Sequence, residues 1–236
     1  MSTTNERHNA DYFDSWGGYH ALVETIDTYR HTARALEGEL HGRTVDVGSG
    51  GVINYDCGPI TELVLVDIGA DQMNQIPLPA CATLKIGTAV ALPLADAAHD
   101  CVLMQMLVHH LAETNFPTTR ARVRRAMAEA WRVLRPGGKL VIVESVMSWP
   151  LELAQRFGFP LTRRLLHRLK HPLVFQWTGR SLCGFAKAAG FAPIIRTGIP
   201  LGKNLIFLGK RRPAMLCPVR LIKIVAIKPL SLPTCA

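Results

Sequence analysis

A glycine-rich turn followed by an acidic residue is the part of the sequence best suited to ligand chemistry. The β-branched segment 44–47 runs directly into Gly48-Ser49-Gly50-Gly51. Glycine is favoured where the backbone turns sharply or lies against a ligand with no Cβ in the way. A second apolar segment ends at Asp67, which follows Asp46 by 21 residues (46 to 67). Because an acid at about this spacing can accept hydrogen bonds from both hydroxyls of a ribose, the pattern predicts a nucleotide-sized crevice.

The elements that must position these residues form an alternating pattern. Apolar segments at 82–86, 100–105 and 139–144 predict further strands. A helix is predicted over 118–134, and Arg135-Pro136-Gly137-Gly138 ends it. The order favours a mostly parallel sheet. Only about 12 residues separate the glycine turn from the next strand, which predicts a short or irregular crossover there.

The rest of the chain is less regular. Proline and glycine interrupt short apolar and basic helices in 145–180, which predicts an inserted cap beside the strand ends. Two late strands, 191–195 and 204–209, are predicted to form an antiparallel pair. Residues 213–236 are apolar and basic, and they fit an extra strand, an amphipathic helix or a disordered end. A helix is predicted over 21–36, and the aromatic residues before it either pack against it or close over a ligand: Tyr12, Phe13, Trp16 and Tyr19.

Composition narrows the class of protein. At 236 residues, 48% hydrophobic and 19% charged, the chain fits one globular domain with an elaboration. The net charge of +9 is uneven, because 145–236 holds 15 Lys/Arg against one acid, Glu152. This imbalance fits either a solvated basic face or contact with an anionic partner. The six cysteines include no Cys-x-x-Cys pair, and no run is long and apolar enough to cross a membrane, so we expect a cytoplasmic protein with reduced thiols and no metal site.

Four separated stretches resemble the class I S-adenosylmethionine-dependent methyltransferases, especially the small-molecule branch that includes ubiquinone and sterol methylases. The matching stretches are Val45-Asp46-Val47-Gly48-Ser49-Gly50-Gly51, Val66-Asp67, Gly87-Thr88-Ala89 through Leu92-Pro93-Leu94 to Asp100, and Trp131-Arg132-Val133-Leu134-Arg135-Pro136-Gly137-Gly138. Two departures stand out. The third glycine of the first motif falls at Val52 or is displaced to Gly51, and Thr88 replaces an acid.

The resemblance implies an α/β fold: a Rossmann-like class I methyltransferase sheet, mostly parallel with an antiparallel last strand, and a helical cap insertion at 145–180. It implies a helical lid segment at 1–40, the methyltransferase domain at 41–212 and a basic apolar tail at 213–236. The implied cofactor is S-adenosylmethionine, released as S-adenosylhomocysteine, with no metal. The residues expected to bind it are Asp46, Gly48, Ser49, Gly50, Gly51, Asp67, Ile68, Thr88, Ala89, Gln105 and Met106.

The expected reaction moves a methyl group to oxygen or carbon of a small, largely apolar metabolite of lipid, quinone or natural-product biosynthesis. His109, His110 and Glu144 are the candidate bases, with helix packing as the alternative role for the histidines. Aromatic residues of the cap suggest an apolar acceptor, and its arginines suggest an anionic group on it: Trp149, Phe157, Phe159, Phe175 and Trp177; Arg156, Arg163, Arg164 and Arg168.

Other functions stay open on the sequence. The basic half prompts an RNA methyltransferase, although no Asn/Asp-Pro-Pro-Tyr motif follows the fourth strand. A protein that binds the cofactor without turnover, or that docks on membranes through its basic tail, is a further alternative. Expected partners are therefore a small-molecule acceptor and, through the basic half, an anionic membrane or an acidic carrier protein.

Overall fold

A seven-stranded mixed sheet organises the chain. The computed structural model describes residues 26–69, 77–169, 171–207 and 210–230. Its elements in chain order are α1 (Asp27–Leu36), β1 (Gly42–Val47), β2 (Ile60–Asp67), β3 (Ala82–Ile86), β4 (His99–Gln105), a 3-10 turn (Val108–His110), α2 (Phe116–Val133), β5 (Leu134–Val146), α3 (Trp149–Arg168), α4 (Gly179–Ala188), β6 (Ile194–Ile199), β7 (Asn204–Phe207), β8 (Lys210–Pro213), a second 3-10 turn (Ala214–Leu216) and β9 (Arg220–Ile227).

The main sheet has the strand order β3-β2-β1-β4-β5-β9-β6. The first five strands are parallel, and β9 runs antiparallel to both of its neighbours. The central strands β1, β2, β4 and β5 are buried over most of their length, as parallel strands covered on both faces must be. The predicted fold class, mostly parallel with an antiparallel last strand, is confirmed.

Apolar side chains cover the two faces of the sheet from different parts of the chain. One face packs against α2, α3 and α4, with contacts from Met127, Phe159 and Leu182 among others. The other face packs against α1 and the loop after β1, through Leu36 and Tyr55. The carboxyl ends of β1, β2, β4 and β5 therefore meet at one edge, where ligands bind in open α/β sheets.

The predicted helix end and the predicted irregular crossover are both confirmed. Helix α2 ends at Val133, immediately before the Arg135–Gly138 stretch. Residues 48–59 connect β1 to β2 without a helix. The aromatic residues predicted to pack on the first helix or to close over a ligand, Tyr12 through Tyr19, lie outside the described residues.

Two local expectations are wrong, and one open alternative is decided. The cap holds one 20-residue helix, α3, which continues through Pro160 instead of breaking into short pieces. The strands near 194 and 204 do not pair with each other, because β6 pairs with β9 and β7 pairs with β8. Their short separation in sequence suggested a hairpin, but the partner of β6 comes from a segment further along the chain. Of the three alternatives for 213–236, the extra strand is the one that 220–227 forms.

Candidate active site

The glycine turn after β1 is held against β2 and leaves open space on its outer side. The Gly48 N–H donates to Val66 O at 2.7 Å. Gly48, Gly50 and Gly51 all adopt positive φ, at 70°, 51° and 78°. A Cβ on Gly48 would lie 2.5 Å from Leu107 Cδ1, whereas a Cβ on Gly50 would have no atom of the described residues within 4 Å. The turn thus needs glycine for its positive φ angles and, at Gly48, for the lack of space for a side chain. Gly51 is the third glycine of the turn with positive φ.

Asp67 lies at the end of β2, beside this open space. Its Oδ2 accepts the Gly50 N–H and its Oδ1 accepts the Gly69 N–H, both at 3.0 Å. Burial raises the pKa of the carboxyl group above its usual value. Each oxygen keeps a second lone pair for a ligand hydroxyl. The Gly87 N–H donates to Asp67 O at 2.8 Å, which brings the turn containing Thr88 and the buried Ala89 to the same edge.

Asp46 is fully enclosed at the end of β1. The Tyr55 hydroxyl donates to its Oδ2 at 2.8 Å, and burial raises the pKa of the carboxyl group to about 7. Asp46 Oδ1 and Gln105 Oε1 are buried acceptors that take no hydrogen bond from any described residue. Unsatisfied buried acceptors are costly and call for a donor from elsewhere. Two predicted site residues, Asp46 and Gln105, therefore each present an oxygen that still needs a hydrogen-bond donor. Tyr55, which the sequence analysis did not identify, binds the other oxygen of Asp46.

Met106 follows β4 in a conformation that residues with a side chain rarely adopt. Its φ is +53°, and its N–H donates to Val143 O at 2.8 Å. Left-handed backbone costs a residue with a Cβ about 1–2 kcal/mol. Such strain is concentrated at functional sites, where surrounding contacts enforce it. Here it directs the chain from β4 into the 3-10 turn that carries the two histidines.

His109 and Glu144 form a buried pair. His109 Nδ1 lies 2.7 Å from Glu144 Oε1, and the His109 backbone N–H donates to Oε2 at 3.2 Å. The Ser145 N–H donates to Oε1 at 2.7 Å, and the carboxylate has no solvent exposure. A carboxylate in this position accepts a proton-bearing Nδ1, so the Nε2 of a neutral His109 is the acceptor nitrogen. Nε2 makes no hydrogen bond to the described residues.

His110 lies beside His109, with the ring centroids 4.0 Å apart. Burial, together with the charge that His109 would carry, holds the pKa of His110 well below its usual value. The structure therefore brings the three predicted catalytic residues together but distinguishes their surroundings. Glu144 is completely buried, and His110 is neutral because of its lowered pKa. His109 binds the Glu144 carboxylate from the loop that follows β4.

A cavity of about 910 Å³ opens beyond the carboxyl end of β5. It lies between the first residues of α3 and α4 and the adjoining ends of β6 and β9, and Arg180, Arg196 and Arg220 line it. Among the described residues no acid lines it, and none of the three arginines forms an ion pair with any of them. The sequence did not single these arginines out, because they come from three elements far apart in the chain. We name this cavity the arginine pocket.

Only some of the cap aromatic residues that suggested an apolar acceptor are accessible to a ligand. Phe159, Phe175 and Trp177 are completely buried and pack on one another, with centroids 5.5 Å and 4.5 Å from the ring of Phe175. They are core residues, because their rings are large enough to fill the space between α3 and the sheet. Trp149 and Phe157 are exposed, and Trp149 lines the arginine pocket.

Comparison with known proteins identifies the domain. Residues 45–142 match a family described as "Methyltransferase domain". The chain is 30% identical over 95 residues to a demethylmenaquinone methyltransferase of Symbiobacterium thermophilum, covering 40% of this chain and 34% of that protein. It is 28% identical over 183 residues to a 37.1 kDa protein of a transposon in Streptomyces fradiae, covering 71% of this chain and 48% of that protein. The chain thus spans about half or less of the curated relatives it matches.

A solved structure shows the same fold. A Haloferax volcanii methyltransferase, solved in complex with the Trm112 methyltransferase activator, superposes with a TM-score of 0.64 at 15% identity, covering 92% of this chain and 97% of that one. The matched domain and the sheet topology agree. The matched domain, residues 45–142 within the described sheet, has the features of the class I S-adenosylmethionine-dependent methyltransferases.

The site suits S-adenosylmethionine, the cofactor that the resemblance implies. The unobstructed side of Gly50, the Asp67 carboxylate beside it and the buried acceptors on Asp46 and Gln105 suit a ligand with ribose hydroxyls and an ammonium group. Among the described residues, no group of three or more His, Cys, Asp or Glu side chains is arranged to hold a metal ion. No helix in the described ranges is both long and apolar enough to span a bilayer.

Proposed function

We propose that this protein transfers a methyl group from S-adenosylmethionine to oxygen or carbon of a small, largely apolar acceptor that carries an anionic group. One observation carries the proposal: within a methyltransferase domain, the open side of Gly50 lies next to the Asp67 carboxylate, where a ribose and its substituents would fit. The demethylmenaquinone methyltransferase among the relatives supports the apolar part of this acceptor.

In this proposal different predicted residues contact different parts of the cofactor. Asp67 accepts the ribose hydroxyls, while Ile68, Thr88 and Ala89 border the adenine. Asp46, with the turn Gly48-Ser49-Gly50-Gly51, faces the methionine part, and Gln105 and Met106 flank it. When bound, the sulfonium supplies an electrophilic methyl group. The protein's contribution is positioning and exclusion of water, since in-line displacement depends strongly on the geometry of approach.

His109 is proposed as the base. Its Nε2 would take the proton from an acceptor hydroxyl or acidic carbon as the new bond to the methyl group forms. Glu144 holds the ring through Nδ1 at 2.7 Å and would stabilise the imidazolium, so it is a positioning residue. His110, whose pKa is well below its usual value, packs against this ring as a neutral group.

The arginine pocket is proposed to hold the anionic group of the acceptor. Val146, which lines it, lies two residues beyond Glu144 on the same strand, so the pocket begins two strand positions from the carboxylate that holds the proposed base. A carboxylate or phosphate would meet Arg180, Arg196 and Arg220 without competition from a lining acid. The indole of Trp149 supplies an apolar wall at the entrance.

The two alternatives from the sequence have less support. An RNA methyltransferase would need a broad basic track for the phosphates, whereas these three arginines converge on one cavity. A protein that binds the cofactor without turnover would not need the His109–Glu144 pair. Docking through a basic tail would need 213–236 to be free. Residues 220–227 of this segment form β9, which is hydrogen-bonded along both edges in the sheet.

Calorimetric titration with S-adenosylmethionine and S-adenosylhomocysteine tests the cofactor claim. We expect binding by the native chain and at least a tenfold loss in Asp67→Asn, since hydrogen bonds to a charged group contribute about 1.5–3 kcal/mol. Asp56→Asn, an exposed carboxylate in the loop before β2, is the matched control and should bind normally. Failure of the native chain to bind either compound would refute the proposal.

Transfer of radiolabelled methyl from S-adenosylmethionine into an apolar metabolite extract tests turnover. We expect label in an acidic, organic-soluble product with the native chain and at least a hundredfold slower labelling with His109→Gln. Label in added bulk RNA, or no label with a chain that binds the cofactor, would favour one of the two alternatives instead.

A further inference from the structure

The outward side of α3 carries large apolar residues that the described protein leaves uncovered. Leu153, Phe157, Leu161 and Leu165 recur at intervals of four residues. Phe157 is 77% exposed and Leu161 71%, and the other two are at least 40% exposed. Four-residue steps advance by about 40° around a helix, so these side chains cover roughly 120° of its circumference. We name them the α3 apolar face.

The opposite side of α3 fixes the helix to the protein. Phe159 and Leu166 are buried in the core, and Gln155 hydrogen-bonds to the backbone of Val174 and Gln176. The α3 apolar face is therefore presented by a helix with a fixed orientation. Single exposed apolar residues are ordinary, but a row of four on one helix face marks an interaction surface.

The charges on α3 show what this surface would meet. Arg164 and Arg168 are exposed, fall within the same outward sector and form no ion pair in the part of the chain that the structure describes. The single acid of the helix, Glu152, points inward, where it accepts hydrogen bonds from the Thr178 N–H and the Ser181 hydroxyl. The outward side is thus apolar and basic with no negative charge.

This combination matches the requirements of an anionic lipid surface. An interfacial helix buries its apolar side chains to the depth of the headgroups, while arginines on its polar flank contact lipid phosphates. We propose that the α3 apolar face, with Arg164 and Arg168, docks the protein reversibly on an anionic bilayer surface. An acidic protein partner fits less well, because it would need a groove shaped to receive Phe157 and Leu161. A bilayer accommodates both side chains without such a groove.

Docking in this orientation would place the arginine pocket near the lipid. Trp149, in the first turn of α3, is 69% exposed and also lines that pocket. Indole side chains are favoured at the level of the headgroups. An amphiphilic molecule could then pass from the bilayer to the pocket along α3. The docking itself does not depend on the methyl transfer proposed above.

Sedimentation with lipid vesicles tests the inference on the full chain. We expect the native protein to pellet with vesicles of phosphatidylcholine containing phosphatidylglycerol, and not with phosphatidylcholine alone. Added salt should weaken binding. Arg164→Gln with Arg168→Gln should reduce the partition coefficient about twentyfold, since each arginine near an anionic surface contributes roughly a factor of five. Phe157→Ser with Leu161→Ser should reduce it at least tenfold.

Met215→Ser is the control, because Met215 is 90% exposed on a different apolar and basic part of the surface. It should leave binding unchanged, and circular dichroism should show every variant folded. Three results would each overturn the inference: no pelleting of the native chain, unchanged pelleting of Phe157→Ser with Leu161→Ser, or an equal loss in Met215→Ser. Sedimentation velocity of the native chain without vesicles completes the test. A dimer that Phe157→Ser with Leu161→Ser dissociates would assign the face to self-association instead.

Discussion

Three glycines with positive φ allow the glycine turn after β1 to be tested by adding a single methyl group at each position. Gly48, Gly50 and Gly38 have φ of 70°, 51° and 71°. Substitution by alanine at each adds the same methyl group and the same kind of backbone strain, about 1–2 kcal/mol. The surroundings differ: the Gly48 Cβ would lie 2.5 Å from Leu107 Cδ1, while those of Gly50 and Gly38 would have no neighbour within 4 Å in the part of the chain that the structure describes.

These distances predict separable effects on stability and binding. Gly50→Ala and Gly38→Ala should each lower the free energy of unfolding by about 1–2 kcal/mol. Gly48→Ala should lose a further 1–3 kcal/mol or so, because Leu107 must move within a packed site. Only Gly50→Ala should lose affinity for S-adenosylmethionine out of proportion to its stability, at least tenfold, since its new methyl group would occupy the space assigned to the ligand.

Urea denaturation measures the first quantity and calorimetry the second. Gly38, in the turn after α1, is the matched control for Gly50, with similar φ and similar open space but no place in the proposed site. If Gly50→Ala binds S-adenosylmethionine with native affinity, the open side of the turn does not face the cofactor. If Gly38→Ala loses as much affinity, the effect comes from general destabilisation. Either result would refute the reasoning.

Three further predictions concern the ionisable groups. Because the pKa of Asp46 is raised from 3.8 to about 7, the folded chain keeps a proton that the unfolded chain releases between these values. The free energy of unfolding should therefore fall by up to about 4 kcal/mol as pH rises through that window, and Asp46→Asn should remove this fall in denaturation curves measured from pH 4 to 8. His109→Gln should lower kcat by roughly 10²–10⁴, whereas Glu144→Gln should lower kcat less and leave KM for S-adenosylmethionine unchanged. A native kcat in His109→Gln would exclude it as the base. Arg196→Gln should raise KM for an anionic acceptor about tenfold or more without changing cofactor binding, and an unchanged KM would remove the arginine pocket from the acceptor site.

Local signals in the sequence were sufficient to predict the glycine turn, the acid beside it and the end of the following long helix. The turn at Gly48–Gly51, the acid at Asp67 and the end of α2 at Val133 each depend on backbone conformations that neighbouring residues determine. The resemblance also predicted a mostly parallel sheet with an antiparallel last strand, which the strand pairing confirms. These features are short-range or shared by the family, and both kinds can be read from one sequence.

The acceptor half could not be predicted in the same way. The arginine pocket assembles residues 180, 196 and 220 through the pairing of β6 and β9, and nothing local indicates that pairing. Phe159 and Trp177 look like ligand-binding aromatics in the sequence, but they face the core because the helix and loop that carry them pack inward. Tyr55 contacts Asp46 only because the crossover is too short to form a helix.

The position of β9 has a consequence for how the chain folds. Its eight residues pair with Lys139–Val146 on one side and with β6 on the other, so the sheet joins segments about 80 residues apart in sequence. During synthesis, β5 has an open apolar edge until residue 227 has emerged. Removing 213–236 would leave that edge permanently unpaired, and unpaired edges recruit other strands. A truncation meant to test the terminal segment would thus yield an aggregation-prone chain, which is why point substitutions on the surface are the better tools for this protein.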